Sequence, residues 1–182
     1  MLSITIPDMT DKWDPYKKEF VNVKGTKLIL EHSLVSIQKW ESKWHISYIS
    51  TEDKTTEMVF DYIKCMVIQP KEIDDETLNY IPKEEIKKII EYIHDPMTAT
   101  TFSDTKKQNN KKEIITAEVI YGWMIALNIP NEYRKWHINQ LLTLIHVCEI
   151  NNTPQDKMSR NEILARNKAL NAQRKARLHT HG

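Results

Sequence analysis

The chain begins with extended segments in which apolar and polar residues alternate. Residues 2–6 place leucine or isoleucine at every second position, which is the period of a half-buried β-strand. Residues 20–23 form a second extended run, and the turn residues 24–25 lead into a third run at 27–31. Trp-Asp-Pro at 13–15 predicts a further turn. We expect the three runs to form an antiparallel sheet, which needs a helix packed on it to be stable.

After Ser33 the hydrophobic period becomes that of a helix. The apolar residues recur at spacings of three and four, at Leu34, Ile37, Trp40 and Trp44. Ser33 directly precedes this stripe, and a serine hydroxyl can accept one of the unpaired N–H groups of a first helical turn. The pattern therefore predicts an amphipathic helix over 34–44, with Ser33 as its N-cap.

Helical patterns dominate the remainder, apart from a polar stretch at 97–112 that predicts a loop. The predicted helices run from Thr55 or Thr56 to about Ile68, from Pro82 to the residue before Asp95-Pro96, from Ile114 to Leu127, and from an N-cap at Asn131 through Cys148. The helix over 114–127 is apolar nearly all round, so we expect it in the centre of the core. We expect it to pair antiparallel with the helix that follows.

Charge separates the end of the chain from the rest. Between Lys157 and Gly182 seven Lys or Arg residues accompany one acidic residue, a net charge of +6, whereas the first 156 residues carry −5. A capping box at Ser159 and Glu162 begins an alanine-rich helix, so we predict a basic helical arm. The residues of this arm that we expect to bind a partner are Arg166, Leu170, Arg174, Lys175 and Arg177.

Three interpretations of the arm remain open. The first is a solvated helix without a partner, the second is a nucleic-acid contact, and the third is a helix that docks on an acidic or coiled-coil protein. Binding to nucleic acid would use its Lys and Arg side chains on phosphates, but the segment has none of the aromatic residues that stack on bases. Its alanine and leucine content is typical of a partner-binding helix.

Together these patterns predict an α+β fold that is mainly α. A globular domain spans 1–150, β-rich over 1–32 and helical over 33–150, and the basic helical arm spans 151–182. In this fold the small N-terminal antiparallel sheet packs on a helical bundle. A chain of 182 residues is long enough to bury a core of its own.

Composition excludes several classes of function. The chain has three glycines, which are too few and too far apart for a phosphate-binding loop or a dinucleotide fingerprint. Cys65 and Cys148 have no CxxC partner, which favours buried free thiols in a reducing cytosol. We find neither a secretory leader nor an apolar run of about 20 residues, so we expect no membrane partner.

The residue patterns do not indicate catalysis. Five of the seven histidines are scattered along the chain, at 32, 45, 94, 137 and 146, without the spacing of a zinc motif, and His179-Thr-His181 could at most bind a metal adventitiously. Glu31, His32 and Ser33 supply three catalytic residue types side by side, but neighbours in a strand point to opposite faces, so they do not predict a triad. We therefore expect no catalytic residue, no cofactor and no metal site, and a protein that is not an enzyme.

The tryptophans offer a candidate for binding. Trp40 and Trp44 lie one helical turn apart, and Trp123 and Trp136 flank the connection between two predicted helices. At helical spacing such residues are usually core. The alternative is that Trp40 and Trp44 remain exposed in a groove for an apolar peptide, because tryptophan is enriched among binding hot spots.

Several of these segments resemble phage proteins. The segments LSITIPD, W-D-P, E-F-V-N-V and L-I-L-E-H-S-L-V-S-I-Q-K-W-E-S-K-W resemble proteins of phages and prophages of Gram-positive bacteria. In particular, strands leading into a helix of the form E-H-S-L-x-S-I-x-K-W-E resemble the start of the tail assembly chaperones of long-tailed phages. The similarity covers about residues 1–50, with weaker similarity at 96–150, which contains I-I-T-A-E-V-I-Y-G-W-M-I-A-L-N-I-P, and at 159–182, which contains A-L-N-A-Q-R-K-A-R-L-H-T-H-G.

This resemblance implies a non-enzymatic assembly factor in the host cytoplasm. Such chaperones coat the long helical tape measure protein, help to recruit tail tube protein around it, and are generally missing from the finished virion. Many are made in short and long versions by a ribosomal frameshift. The family defines no fixed functional motif, so it assigns no site residue here. The tape measure and tail tube proteins are thus the expected partners, and a homo-oligomer is possible.

Two alternatives remain at this point. The first is a permanent virion component, such as a connector or tail-completion protein. The second is a small nucleic-acid-binding regulator, which the charge of the arm suggests.

Overall fold

We describe a computed structural model of the chain, which covers residues 1–14, 18–102, 114–152 and the separate positions 164, 165, 167, 168 and 171. The chain divides into two compact units, Met1–Glu149 and Ile150–Gly182. The first unit combines small antiparallel sheets at its N-terminal end with a larger number of helices, so the predicted α+β, mainly α fold is confirmed.

The described elements follow one another in a β-rich and then a helical order. The strands are β1 (Leu2–Ile6), β2 (Met9–Asp14), β3 (Glu19–Val23), β4 (Thr26–Leu30) and β5 (Val67–Gln69). The helices are α1 (Leu34–Trp44), α2 (Thr56–Met66), α3 (Asp75–Leu78), α4 (Lys83–His94), α5 (Ala117–Ala126) and α6 (Ile138–Asn152), and a 3₁₀ helix (Asn131–Lys135) precedes α6. Within the described residues none of these helices is long and apolar enough to cross a membrane.

The predicted strands exist, but they pair differently from our expectation. We expected 20–23 and 27–31 to form a hairpin. Instead β3 pairs with β2 in a separate two-stranded sheet, while β4 lies between β1 and β5 in a three-stranded antiparallel sheet. In the second sheet Trp13 is opposite Phe20. The turn expected at 13–15 was therefore wrong for Trp13 and Asp14, which belong to β2.

Gly25 separates the two sheets rather than closing a hairpin. Its N–H donates to Asp8 Oδ1 at 2.5 Å. A Cβ built at this position would lie 2.9 Å from the carboxyl carbon of Asp8. The close approach of this backbone to Asp8 leaves little space for a side chain at residue 25, between β3 and β4.

The helix predicted at 34–44 is confirmed to the residue as α1, and Ser33 is confirmed as its N-cap. The Ser33 N–H donates to Ser36 Oγ at 2.9 Å, and this hydroxyl in turn donates to Glu31 O at 2.7 Å. Leu34 and Ile37 are buried on the inner face. Helix α1 packs closely on α2 and α5, so it is the central helix of the unit.

Helices α2 and α4 match the predicted helices except at one end of each. Thr55 caps α2 through a hydrogen bond from the Met58 N–H at 3.3 Å. The predicted end near Ile68 was wrong, because Val67 leaves the helix and pairs with Leu30 in the sheet. Pro82 lies one residue before the first residue of α4, as its N-cap, and α4 ends at His94 as Asp95-Pro96 requires.

The predictions for the last helices of the unit were partly wrong. Helix α5 begins at Ala117 rather than Ile114, and its buried residues are confined to one side. Asn131 does not cap a long helix but begins the 3₁₀ helix. Helix α6 begins only at Ile138, whose free N–H donates to His32 O at 2.9 Å. Helix α5 packs closely on α1, so the expected central pair of α5 with the next helix was also wrong.

Candidate functional site

The two tryptophans that we singled out occupy different environments. Trp40 has 0% of its surface exposed, and its Nε1 donates to Met58 O at 2.9 Å. It is therefore a core residue and offers no surface to a partner. Trp44 is half-buried, and its Nε1 donates to Asp61 Oδ2 at 2.8 Å. Of the expected aromatic pair, only Trp44 has a ring edge that reaches the surface.

Trp44 adjoins a groove lined by four lysines, which we call the lysine groove. Its volume is about 470 Å³, and it lies between α1, α2 and the segment that follows β5. Its lining residues are Lys39, Lys43, Asp61, Lys64, Cys65, Val67, Pro70, Lys71, Glu72 and Ile73. Periodicity along the sequence did not reveal this groove, because its lysines come from separate elements.

Asp61 organises one end of the lysine groove. Its carboxylate accepts from the indole of Trp44 and forms an ion pair with Lys43 Nζ, which also lies 5.6 Å from the Trp44 ring centroid. The hydrogen bond to Asp61 raises the pKa of Lys43. Burial raises the pKa of the Cys65 thiol at the floor of the groove, although Lys39 acts against this shift. The thiol is thus kept protonated and unreactive at neutral pH.

A second candidate surface follows the outer side of α5. Its residues are Ile114, Glu118, Gly122, Ile125 and Ala126, and we call it the α5 surface; all of them are exposed. Ile125 is 77% exposed and Ile114 68%. A helix that is apolar all round is normally buried on every side. Since α5 buries only the side that carries Ala117, Ile120 and Met124, its outer side is an apolar face in contact with solvent.

A cleft of about 650 Å³ opens at the N-terminal end of the α5 surface. Its lining residues are Glu41, Ser42, His45, Ile46, Ser47, Ser50, Thr51, Ile114, Thr116 and Glu118. Among its described lining residues are two carboxylates and two isoleucines, and no Lys or Arg. These described residues suit a ligand with apolar groups and a positive charge.

Four hydrogen bonds hold the wall of this cleft in place, and the one from Ala117 N–H to Glu41 is buried. The Glu41 carboxylate accepts from the Ala117 N–H at 2.7 Å and from the Tyr48 N–H at 2.8 Å. Ser47 Oγ donates to Ile115 O at 2.5 Å, and the Ile115 N–H donates to Ser50 Oγ at 2.9 Å. Burial raises the pKa of Glu41, against the effect of its two N–H donors. The extended segment before α5 is thus anchored on both edges.

Glu31, His32 and Ser33 are all buried, but their side chains have separate environments. His32 Nδ1 lies 2.5 Å from Tyr62 Oη, and Ser33 Oγ lies 3.2 Å from Ser36 Oγ. The three side chains are therefore not arranged as a nucleophile, base and orienting acid. None of the three lines either of the two clefts described above.

His32 belongs to a cluster of buried rings around the start of α1. Its ring centroid lies 4.9 Å from that of His137, whose Nε2 contacts Tyr92 O at 2.9 Å. Burial lowers the pKa of His32 to about 3, and the neighbouring His137 contributes to this shift. Burial also lowers the pKa of His137. Both imidazoles are therefore neutral at physiological pH and serve as packed hydrogen-bonding groups.

The structure also contains an exposed aromatic pair that the sequence reasoning missed. Trp13 and Phe20 lie on neighbouring strands with ring centroids 5.2 Å apart, edge to face. Both rings are largely exposed. Because we interpreted Trp13 as part of a turn, the period-two pattern of β2 went unrecognised, and with it the pairing of these two rings.

The predicted binding residues of the arm, Arg166, Leu170, Arg174, Lys175 and Arg177, lie outside the described residues. In the second unit, residues 164, 165, 167, 168 and 171 are helical, and Leu164 is exposed. Among the described ranges 1–14, 18–102 and 114–152 and those five positions, we find no group of three or more His, Cys, Asp or Glu residues that could hold a metal ion.

Comparison of the chain with protein families, characterised proteins and solved structures finds no match.

Proposed function

We propose that this protein is a tail assembly chaperone of a long-tailed phage, which acts in the host cytoplasm on the helical tape measure protein and assists tail tube assembly. The proposal makes it a binding protein that forms and breaks no covalent bond. Its motivation is the resemblance of about residues 1–50 to such chaperones, with weaker resemblance at 96–150 and 159–182. The observation that carries it is the α5 surface, because this is the kind of face to which an amphipathic helix binds.

The composition of the α5 surface suits another helix. Gly122 has no atom within 4 Å of the position where a Cβ would be, so a second helix can approach this part of α5 closely. Ala126, one turn further along, is also small and exposed. Ile125 lies beside both, and burying its side chain contributes about 1.5–3 kcal/mol. A single such contact is weak.

Weak contacts of this kind fit a chaperone that binds one long client in many copies. Each copy covers a short stretch of apolar surface, and several copies on one client gain avidity that a single contact lacks. Release then needs only the competition of tail tube subunits for the same client surface. Glu118, exposed at the start of the α5 surface, pairs with a basic residue at the edge of the client helix in this proposal.

The test is co-expression with the tape measure protein encoded in the same genome. We expect the wild-type chain to keep this client soluble and to co-purify with it. Ile125→Asp removes the central apolar group of the α5 surface and should abolish both effects. Ile90→Asp is the matched control, because Ile90 is also an exposed isoleucine on a helix, but on α4.

Two results would contradict the proposal. One is a client that is equally insoluble with and without this protein. The other is equal loss of binding in both aspartate variants. Mass spectrometry of purified particles separates the chaperone from a structural virion component, since stoichiometric presence in the particle would favour the latter.

A further inference from the structure

We propose that the lysine groove binds an acidic peptide segment of a partner protein, with carboxylates on its lysines and an apolar side chain on its floor. The inference concerns a surface different from the α5 surface and does not depend on the chaperone function.

The lysines of the groove converge from three parts of the chain. Two of the lysines, Lys39 and Lys43, lie on α1, whereas Lys64 lies on α2 and Lys71 follows β5. All four nevertheless line the same groove, whose volume is about 470 Å³. A solvated helix face would place its lysines along one element, on a convex surface. Convergence on a concave surface from separate elements instead concentrates positive potential, which attracts anions.

The charge of the groove is only partly balanced. Four lysines and two carboxylates line it, and the carboxylate of Asp61 is engaged with Lys43 and Trp44. Lys39 and Lys71 have no carboxylate partner among the described residues. These two ammonium groups are therefore the ones that a ligand's carboxylates would pair with.

The floor of the groove indicates a peptide rather than a simple anion. Val67, Pro70 and Ile73 supply apolar surface between the charged groups, and Ile73 is packed against the core. A ligand that matches this arrangement alternates carboxylates with apolar side chains. In an extended peptide every second side chain points to the same side, so a peptide in which pairs of acidic residues alternate with pairs of apolar residues presents both kinds of group to the groove.

The same features disfavour nucleic acid. Asp61 and Glu72 lie within the groove and would repel a continuous phosphate backbone. Trp44 adjoins the groove, but its indole N–H is bound by Asp61 and Lys43 Nζ lies 5.6 Å from its ring centroid. Trp44 is not one of the lining residues, and no described aromatic side chain lines the groove, as stacking on single-stranded nucleic acid requires.

The test uses fluorescence anisotropy with the full chain. The probes are a labelled twelve-residue peptide in which pairs of glutamates alternate with pairs of leucines, the same peptide with glutamine in place of glutamate, and a labelled twelve-nucleotide oligothymidylate. We expect the glutamate peptide to bind at least about tenfold more tightly than either other probe. We also expect its binding to weaken as the salt concentration rises.

Two double variants locate the binding. Lys39→Glu with Lys71→Glu should weaken peptide binding by about tenfold or more. Lys24→Glu with Lys27→Glu changes the net charge equally at positions outside the groove and should leave binding within about twofold of wild type. Lys39→Gln with Lys71→Gln, which adds no repulsion, should give an intermediate loss.

The proposal fails if the glutamate peptide does not bind, if both glutamate double variants weaken it equally, or if the oligothymidylate binds more tightly than the peptide. The last result would assign the groove to nucleic acid.

Ile125→Asp serves as a further control, because loss of client binding in that variant with intact peptide binding shows that the two surfaces act separately. Circular dichroism of each variant confirms that it is folded.

Discussion

At the scale of single residues, His32 shows how a polar side chain becomes part of this core. Its imidazole contacts the Tyr62 hydroxyl and lies against the ring of His137, while its backbone carbonyl accepts from the first residue of α6. A neutral imidazole satisfies these contacts, whereas a protonated one would carry a buried charge without an anionic partner. The cost of that charge makes the stability of the fold depend on pH.

We predict that acid destabilises the protein through His32. The folded-state pKa is about 3 and the unfolded value about 6.5, so between these limits the unfolded chain binds more protons. The stability that the neutral His32 gives the folded state is fully present above pH 6.5 and is lost as the pH falls toward 3. It amounts to about 2 kcal/mol between pH 7 and pH 5. Urea unfolding at both pH values measures it.

His32→Gln is the control for this prediction, because glutamine keeps hydrogen-bonding capacity without titrating in this range. The variant should lose less free energy of unfolding than wild type between pH 7 and pH 5. An equal loss in both proteins would assign the acid sensitivity to other groups.

The two tryptophans of α1 should differ in their contributions to stability. Trp40 is fully buried and hydrogen-bonded, so Trp40→Ala should lower the free energy of unfolding by about 3–5 kcal/mol. Trp44→Ala removes a half-buried ring and should cost clearly less. Denaturant titration of both variants at neutral pH checks the order, and similar losses for the two would contradict it.

At the scale of elements, a carboxylate from α1 holds the start of α5, next to the N-cap residue Thr116. Glu41, on α1, accepts the N–H of Ala117, the first residue of α5, and also the N–H of Tyr48. Without this carboxylate, both N–H groups would be left without their acceptor. The anchor thus lies 76 residues away from the helix that it starts.

We predict that Glu41→Ala lowers the free energy of unfolding by about 2–4 kcal/mol, because it leaves two N–H donors unpaired. It should also speed amide hydrogen exchange at Ala117 more than in the middle of α1. Glu118→Ala is the matched control, since Glu118 is an exposed glutamate at the same end of α5. Equal effects of the two substitutions would show that the buried hydrogen bonds are not what positions the helix.

How much of the fold was predictable from the sequence depends on whether the signal is local or comes from a residue distant in the chain. Helix α1 and its cap were predicted to the residue because Ser33 and the apolar stripe are local signals. Strand β5 pairs with Leu30, Glu41 accepts the first N–H of α5, and His32 O accepts the first N–H of α6; these three partners lie far away in sequence. Periodicity does not report such partners.

Predictions for the candidate site have the same limit. The pattern of tryptophans identified Trp44, which adjoins a groove, together with Trp40, which is buried. Helical spacing could not tell them apart, because only the packing of α2 on α1 decides which ring is covered. The lysine groove remained unrecognised since its residues converge from three elements. The outer side of α5 had a visible signal, an apolar helix with small residues at 122 and 126, but we interpreted it as core.

At the scale of the whole molecule, the described buried core lies within the first unit. The buried apolar residues range from Ile4 to Ile145, all between Met1 and Glu149. We therefore predict that a chain ending after Asn152, the last residue of α6, folds on its own. Its urea unfolding should show one cooperative transition, followed by circular dichroism. A chain without such a transition would contradict the prediction.

The contact between Gly25 and Asp8 also restricts how this corner of the molecule can evolve. A methyl group on residue 25 would meet the carboxylate of residue 8, so drift at one position requires a compensating change at the other. Among descendants of this gene, a bulkier residue 25 should accompany a smaller residue 8. A deep mutational scan would register the same dependence as positive epistasis: Gly25→Ala, harmful alone, should be partly rescued by Asp8→Gly.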